Sequence, residues 1–220
     1  MVQFSDDKDD RTSRATEVNE LLVASTNPNK VREIRAVLGA MRIEIITLAD
    51  VPPVPEPEET ANTFWENARQ KALAYARLTG HVAVAEDSGL EIDALGGEPG
   101  VRSARFLGAN ASYPDRFTEI YRRLSAGPHA PRDARFVTAL VVAQPDGTIL
   151  YETEGVIDGV IAERPTGTNG FGYDPILFYP PFGKTLAELS FEEKNAVSHR
   201  ARVFRDLARH AKRGLFRVAG

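Results

Sequence analysis

An acidic pair directly follows a short apolar run in the middle of the chain. Residues 81–85 read HVAVA, which predicts a buried strand, and Glu86-Asp87-Ser88-Gly89 comes next. Adjacent carboxylates repel each other unless a cation or hydrogen bonds accommodate them, and Mg2+ prefers one or two carboxylates together with phosphate oxygens and water. The pair therefore predicts a magnesium–phosphate site at the end of this strand. A turn with a solvated acidic pair is an equally good interpretation of the same residues.

A second polar segment links the first predicted strand to the first predicted helix. Residues 20–26 (ELLVAST) indicate a buried strand, and Asn27 followed by Pro28 is the pattern of a capped helix start. The free N–H groups and the dipole at a helix N-terminus favour an anion. Lys30 is unfavourable in the first turn of a helix unless a phosphate lies there. An ordinary capped helix with a solvated lysine remains the alternative, and this loop alone favours it.

A glycine-rich segment in the second half has residues suited to binding a nucleotide base. Residues 167–175 (GTNGFGYDP) include three glycines, which allow close backbone approach. Phe171 and Tyr173 offer flat faces, and Asp174 offers an acceptor. A glycine-rich surface turn with an aromatic plug is the alternative interpretation.

The last polar segment lies on a helix near the end of the chain. The capping box of Ser190 and Glu193 predicts that this helix begins there, and we expect it to reach about Lys212. Lys194 and residues 198–200 (SHR) are about one turn apart and can line one face. A solvated charged face is the more common explanation of such a pattern, so this segment alone is a weak indication.

Helical and strand patterns alternate in the first half of the chain, and strands cluster in the second half. Helices are predicted from residue 28 to Gly39, from the capping box of Thr63 and Glu66 to Gly80, and over residues 113–124. Strands are predicted over residues 20–26, 41–48 and 81–85, over 134–143 and 148–155 as a hairpin, and over 156–162. This order predicts a single α/β domain, residues 20–220, with a mixed sheet. Residues 1–19 are polar and predict a disordered tail.

Composition narrows the class of protein. Hydrophobic residues make up 42% and charged residues 26% of the 220, as in soluble globular proteins. The net charge of -4 lacks the basic excess of a sequence-independent nucleic-acid binder, so we expect no nucleic-acid partner. No apolar run approaches the roughly 18 residues of a membrane span, so we expect no membrane partner either. The absence of cysteine excludes a thiol nucleophile and is compatible with the cytoplasm, where we expect the protein.

Five segments of the chain, in this order, resemble the inosine triphosphate pyrophosphatase family, whose members remove ITP, dITP and XTP. They are STNPNK (25–30), EETANTFWENA (58–68), EDSGLEIDALGGEPGVRSAR (86–105), GTNGFGYDPI (167–176) and EEKNAVSHR (192–200). Each segment alone is modest, but the five in order are highly specific. The resemblance implies an elongated mixed sheet flanked by helices, two lobes with a central substrate cleft, Mg2+ as cofactor and a homodimer.

The resemblance also implies roles for individual residues. Asp87 matches the proton acceptor and metal ligand, Glu59 matches a second metal ligand, and Lys30 matches the catalytic, phosphate-binding lysine. Many relatives have an aspartate in place of Glu86, which leaves its own metal role open. The implied substrate contacts are Ser25, Thr26, Asn27, Pro28, Asn29, Lys30, Ser88, Phe171, Gly172, Tyr173, Asp174, Lys194, His199 and Arg200.

These roles imply hydrolysis of a purine nucleoside triphosphate to the monophosphate and pyrophosphate. A rigid donor near His199 and Arg200 would pair with the 6-oxo group of hypoxanthine or xanthine and stay unpaired beside the 6-amino group of adenine. Two alternatives remain open. One is a pyrophosphatase for pyrimidine triphosphates, and the other is a nucleotide-sensing module without turnover.

Overall fold

The computed structural model describes residues 16–39, 41, 43–125 and 131–217. Its strands are β1 Thr16–Glu17, β2 Glu20–Val23, β3 Glu44–Thr47, β4 Val82–Ile92, β5 Asp133–Ala143, β6 Ile149–Ile161, β7 Leu177–Tyr179, β8 Lys184–Thr185 and β9 Phe216–Arg217. Its α-helices are α1 Pro28–Leu38, α2 Phe64–Thr79, α3 Tyr113–Leu124, α4 Phe191–Val197 and α5 His199–His210. Among these residues, no helix combines the length and apolar composition that crossing a membrane requires.

A seven-stranded mixed sheet, in the order β3-β2-β4-β5-β6-β7-β8, forms the centre of the molecule. β2 runs parallel to β3 and β4, and the other neighbouring strands are antiparallel. The apolar side chains of α1 and α5 join one core cluster with β2, including Leu21, Ile34 and Phe204. α2 contributes to a second cluster through small side chains such as Ala68 and Ala72. The predicted α/β fold with a mixed sheet flanked by helices is confirmed.

A further apolar cluster surrounds the antiparallel half of the sheet. It combines the second half of β4, the first half of β5 and α3, with Leu90, Phe136 and Phe117 among its members. The molecule therefore has one packed region around its parallel strands and another around its antiparallel strands.

The predicted helix starts are confirmed by their caps. The side chain of Asn27 accepts the backbone N–H groups of Asn29 and Lys30, and Pro28 occupies the first helical position. Thr63 accepts the N–H of Glu66 at the start of α2, which ends where Gly80 adopts a φ of 74°.

Two strands are longer than predicted. β4 does not end at residue 85, because residues 86–92 continue antiparallel pairing with β5 as far as Ile92 opposite Ala134. The acidic pair therefore lies inside a strand and not in a turn at its end. Residues 149–161 form one strand, β6, where we expected two, because pairing with β5 continues through Gly155. A Cβ at Gly155 would lie 2.7 Å from the backbone oxygen of His199, so this glycine allows α5 to pack closely on the sheet.

The ordered fold begins before the predicted boundary at residue 20. β1 pairs in parallel with β9, and Val18 is buried, with 2% of its surface exposed, in the cluster formed with α1 and α5. A single buried valine among polar residues produces no periodic pattern, so the sequence gives little sign of this contact. The prediction of a disordered tail is therefore wrong for residues 16–18, while residues 1–15 lie outside the described part.

Replacing Val18 tests whether this segment belongs to the core. Val18→Ala should lower the free energy of unfolding by about 2 kcal/mol, because it removes two buried methyl groups and leaves a cavity. Urea denaturation of purified protein measures the change. Leu78→Ala is the control, because the Leu78 side chain is 48% exposed on α2 and its loss should change stability little. Equal effects of the two variants would show that Val18 does not stabilise the fold.

Candidate active site

A cavity of about 330 Å³ brings together the four polar segments from distant parts of the chain. Its lining includes Ser25, Thr26, Asn27, Lys30, Glu59, Asp87, Ser88, Phe171, Gly172, Tyr173, Asp174, Lys194, His199 and Arg200. Two of the expected contacts, Pro28 and Asn29, do not line it. They form the first turn of α1, where the side chain of Asn27 satisfies the Asn29 N–H.

Asp87 is a buried carboxylate in the middle of β4, with 5% of its surface exposed. Its Oδ2 accepts a hydrogen bond of 2.9 Å from the Asn67 side chain. Burial raises the pKa of the Asp87 carboxyl, Lys71 opposes that change, and the charge of Glu59 raises the pKa further. A carboxylate with a raised pKa is a stronger proton acceptor, so the site is suited to general-base chemistry.

Lys71 connects the two predicted metal ligands. Its Nζ lies 2.7 Å from Glu59 Oε1 and 3.8 Å from Asp87 Oδ1. Burial would raise the pKa of Glu59, but the charge and hydrogen bond of Lys71, together with the charges of Lys30 and Arg105, hold it below its usual value. Arg105 also binds Glu59, through the Glu59 backbone oxygen at 3.0 Å. Glu59 is therefore held in the cavity from two sides.

The arrangement of Glu59 and Asp87 fits a magnesium ion bound jointly with phosphate oxygens. Among the described residues, no group of three or more His, Cys, Asp or Glu side chains is placed to hold a metal. Two carboxylates that approach one ammonium group are nevertheless the number that Mg2+ uses when substrate phosphates and waters complete its shell. Both side chains line the same cavity, so both can face a bound triphosphate.

Glu86 is engaged by protein groups on both carboxylate oxygens. Oε1 lies 3.0 Å from Lys30 Nζ and 2.9 Å from Arg200 Nε. Oε2 accepts a hydrogen bond of 2.6 Å from Thr138. Burial alone would raise the pKa of Glu86, but the charges of Arg200 and Lys30 hold it well below its usual value. Both oxygens of this carboxylate are therefore occupied by two cations and a hydroxyl group of the protein.

Arg200 is buried within a network of charges below the cavity. Besides Glu86, its guanidinium binds Glu33 Oε2 at 2.7 Å and Ser88 Oγ at 3.1 Å. Glu33 lies on α1 and also binds Lys194 Nζ at 2.8 Å. Burial would raise the pKa of Glu33, but Arg200 and Lys194 hold it below its usual value. The network joins α1, β4, α4 and α5 around the cavity.

The last predicted helix is two helices. α4 ends at Val197, and Ser198 has an extended backbone, with a φ of -62° and a ψ of 152°. The Ser198 side chain caps α5 by accepting the Ala201 N–H at 3.2 Å. The prediction that one helix continues to Lys212 is therefore wrong, because this serine starts a new helix. His199 and Arg200 consequently occupy the first turn of α5, at its positive end.

His199 is buried, with 4% of its surface exposed. Burial lowers the pKa of its imidazole well below the usual value, and the nearby charge of Arg200 lowers it further. The ring stacks on Phe136 with centroids 4.9 Å apart. Its Nδ1 is buried and has no hydrogen-bond partner among the described residues.

The glycine-rich loop presents one aromatic ring to the cavity more openly than the other. Phe171 is partly exposed, and its ring lies 4.7 Å from Lys194 Nζ and 5.4 Å from the Arg200 guanidinium carbon. Tyr173 is 3% exposed, and its hydroxyl donates to the backbone oxygen of Ser103 at 2.9 Å. The expectation that Tyr173 offers a free face for a base is therefore wrong, because its ring packs into the core.

The buried side chain of Asp174 stabilises the glycine-rich loop. Its Oδ2 accepts the Phe171 N–H at 2.7 Å and forms an ion pair with Lys194. Burial raises the pKa of Asp174, and Lys194 opposes that change. Gly170 has a φ of 70°, and a Cβ there would clash with the Asp174 carboxylate. The glycine is required for this contact.

Comparison with known proteins identifies the family. The model of the Ham1 family matches residues 21–210. The chain belongs to the Ham1 family. It is 44% identical over 193 residues to a dITP/XTP pyrophosphatase of Geobacter sulfurreducens, an alignment that covers 88% of this chain and 96% of the relative. It is 45% identical over 188 residues to a dITP/XTP pyrophosphatase of an Exiguobacterium species, which covers 86% and 94% of the two chains.

Solved structures of Ham1 proteins share the fold. A HAM1 protein from Coxiella burnetii superposes with a TM-score of 0.80 at 38% identity, over 88% of this chain and 98% of that one. A nucleoside-triphosphatase / dITP/XTP pyrophosphatase from Mycobacterium abscessus gives a TM-score of 0.70 at 42% identity, over 86% and 98%. The resemblance inferred from the five segments is thereby confirmed.

Three polar residues of this Ham1-family site were not singled out from the sequence. Asn67 and Lys71 are one turn apart on α2 and face Asp87, while Glu33 on α1 faces Arg200. The available signal was a pair of polar residues among small apolar neighbours on one helix face, at positions 67 and 71. Helical spacing alone cannot show that this face meets the acidic strand.

Proposed function

We propose that this protein hydrolyses non-canonical purine nucleoside triphosphates, namely dITP, XTP and ITP, to the monophosphate and pyrophosphate. The observation that carries the proposal is Asp87, a buried carboxylate with a raised pKa that shares one cavity with cationic side chains and an aromatic loop. Relatives named dITP/XTP pyrophosphatase support the choice of substrate.

The phosphate chain is bound at the end of the cavity near α1. Lys30 and Lys71 lie there and supply positive charge, with Arg200 behind them. The first turn of α1 adds the positive end of a helix dipole. Lys30 is the residue that we assign to phosphate binding, because its ammonium group lines the cavity and is free to exchange Glu86 for phosphate oxygens.

Asp87 accepts the proton of the attacking water. The water oxygen forms a bond to the α-phosphorus, and the bond from the α-phosphorus to the bridging oxygen breaks, so that pyrophosphate leaves and the monophosphate remains. Glu59 and Asp87 would hold a magnesium ion, which supplies charge neutralisation at the phosphates when bound. Lys71 keeps these two carboxylates close together although both are negative.

We assign the purine base to the part of the cavity beside Phe171. Ring stacking there binds any purine, so it does not by itself distinguish hypoxanthine from adenine. His199 is the candidate for that choice, because its ring lines the cavity. We extend the proposal to Mg2+ as the cofactor and to a homodimer, both of which the family resemblance implies, and to a cytoplasmic location, with which the absence of cysteine is compatible.

A panel of triphosphates tests the proposed activity. Purified protein is incubated with dITP, XTP, ITP, GTP, ATP, CTP and UTP, with Mg2+ and with a chelator. We expect pyrophosphate and monophosphate from the first three, and only when Mg2+ is present. In water labelled with oxygen-18, the label should enter the monophosphate, because attack is at the α-phosphorus. Release of orthophosphate, or preference for a pyrimidine, would contradict the proposal.

Selectivity for the base should depend on His199 and not on Lys30. His199→Ala should reduce kcat/KM for ITP more than for ATP, because it removes the group that pairs with the 6-oxo position. Lys30→Ala is the matched control and should weaken all triphosphates alike, since it contacts the part that they share. The measurement is the ITP-to-ATP ratio of kcat/KM for each variant. If His199→Ala leaves the ITP-to-ATP ratio of kcat/KM unchanged, residues 171–174 select the base instead.

A further inference from the structure

Tyr113 is an aromatic residue at the cavity that none of the matched segments contains. It is the first residue of α3 and lines the cavity together with Phe171 and Gly172. Its side chain remains 36% exposed, which is unusual for a large ring that has several aromatic neighbours. α3 belongs to the packed region around the antiparallel strands, so the ring reaches the base loop from a separate element.

The Tyr113 ring is held in one position by its neighbours. Its centroid lies 5.2 Å from that of Tyr173, at an interplanar angle of 89°, and 6.2 Å from that of Phe117. The Arg116 guanidinium lies 4.8 Å from the ring centroid and donates to the backbone oxygen of Phe106 at 2.9 Å. A ring that is already ordered loses little entropy when a ligand packs on it.

The ring also approaches the base loop at the residue after Phe171. A Cβ added to Gly172 would lie 3.6 Å from the Tyr113 hydroxyl and 3.8 Å from its ring. Two aromatic side chains therefore reach the cavity beside residue 172, Phe171 from the loop itself and Tyr113 from α3. Both side chains keep part of their surface exposed.

We propose that Tyr113 is a substrate-binding residue that provides a second aromatic surface for the nucleoside, beside the loop that carries Phe171. The proposal rests on the proposed function, because it presumes that the cavity binds a purine nucleotide. Such a surface contacts the base and its sugar but not the phosphate chain. It contributes to binding of all purine nucleotides and takes no part in bond cleavage, so its loss should affect KM and leave kcat nearly unchanged.

Equilibrium binding separates the two ends of the cavity. Titration calorimetry with dIMP reports the nucleoside end, and titration with pyrophosphate in the presence of Mg2+ reports the phosphate end. Tyr113→Ala and Tyr113→Leu should weaken dIMP binding about tenfold, within the range of one stacking contact, and leave pyrophosphate binding unchanged. Tyr113→Phe should bind dIMP as the wild type does. Phe182→Leu is the control, because Phe182 is an exposed ring outside the cavity.

Three results would overturn this assignment. One is unchanged dIMP binding in both Tyr113→Ala and Tyr113→Leu. Another is equal weakening of pyrophosphate and dIMP, together with a lower melting temperature in Tyr113→Leu, which would show a purely structural role. The third is an unchanged KM for dITP in Tyr113→Leu, when the wild-type protein releases pyrophosphate from dITP. A wild-type protein that neither binds dIMP nor hydrolyses dITP would instead contradict the proposed function.

Discussion

Asp87→Asn should reduce the rate of pyrophosphate release at least about 100-fold while the protein stays folded. General-base and electrostatic contributions of single groups lie in this range. The substitution keeps the size of the side chain, and the new amide can still accept the hydrogen bond that Asn67 donates. It removes the negative charge that proton transfer and metal binding both require. Steady-state turnover of dITP with saturating Mg2+ measures the loss.

A matched control for Asp87→Asn lies on the same strand. Glu91→Gln also neutralises a carboxylate of β4, but Glu91 pairs with Arg135 outside the cavity and should leave turnover nearly unchanged. Binding of Mn2+, followed by electron paramagnetic resonance, separates the two roles of Asp87. A variant that binds Mn2+ without turnover has lost the base alone. If folded Asp87→Asn released pyrophosphate at the wild-type rate, Asp87 would not be the essential base.

Arg200→Ala should destabilise the protein by about 3–5 kcal/mol, the usual result of removing one partner from a buried ion pair. Its guanidinium is buried and binds Glu33 and Glu86, so the substitution leaves two buried carboxylates with fewer partners. Urea denaturation at neutral pH measures the loss. Activity will also fall, but unfolding has to be excluded before a role in binding phosphate is assigned.

The control for Arg200→Ala is an exposed arginine that also makes two hydrogen bonds to carboxylate oxygens. Arg69 binds Glu152 on the exposed surface, so Arg69→Ala should have a much smaller effect on stability. Adding Glu33→Gln to Arg200→Ala should recover part of the loss, because without Arg200 two buried carboxylates, Glu33 and Asp174, share the single charge of Lys194. Equal stability of Arg200→Ala and the wild type would show that the network does not stabilise the fold.

The same network predicts how stability depends on pH. The pKa of Glu33 is lower in the folded protein than its usual value of 4.5, because of Arg200 and Lys194. A lowered carboxyl pKa adds stability above the unfolded pKa, and this stability is lost as pH falls through the folded pKa. Wild-type stability should therefore decline as the pH falls below about 4.5, and the decline should be shallower in Arg200→Ala.

Local signals in the sequence predicted much of the fold because they act over a few residues. Asn27 with Pro28 and Thr63 with Glu66 satisfy the backbone donors of the helices that they begin, whatever lies elsewhere in the chain. The strands were located by their apolar runs, but their ends were not. β4 continues past Asp87 because β5 pairs with it, and pairing between strands about fifty residues apart leaves only a weak trace in either one.

The family, the α/β class and the chemical types at the site could all be inferred from residue identities at a set spacing. How these groups act on one another depends on the way the chain folds. Glu33 and Arg200 are 167 residues apart yet form an ion pair, and Lys71 joins Glu59 to Asp87. Burial also depends on packing from distant segments. It raises the pKa of Asp87 and leaves little of the Tyr173 side chain exposed. Such effects arise from proximity in space, which spacing along the chain does not specify.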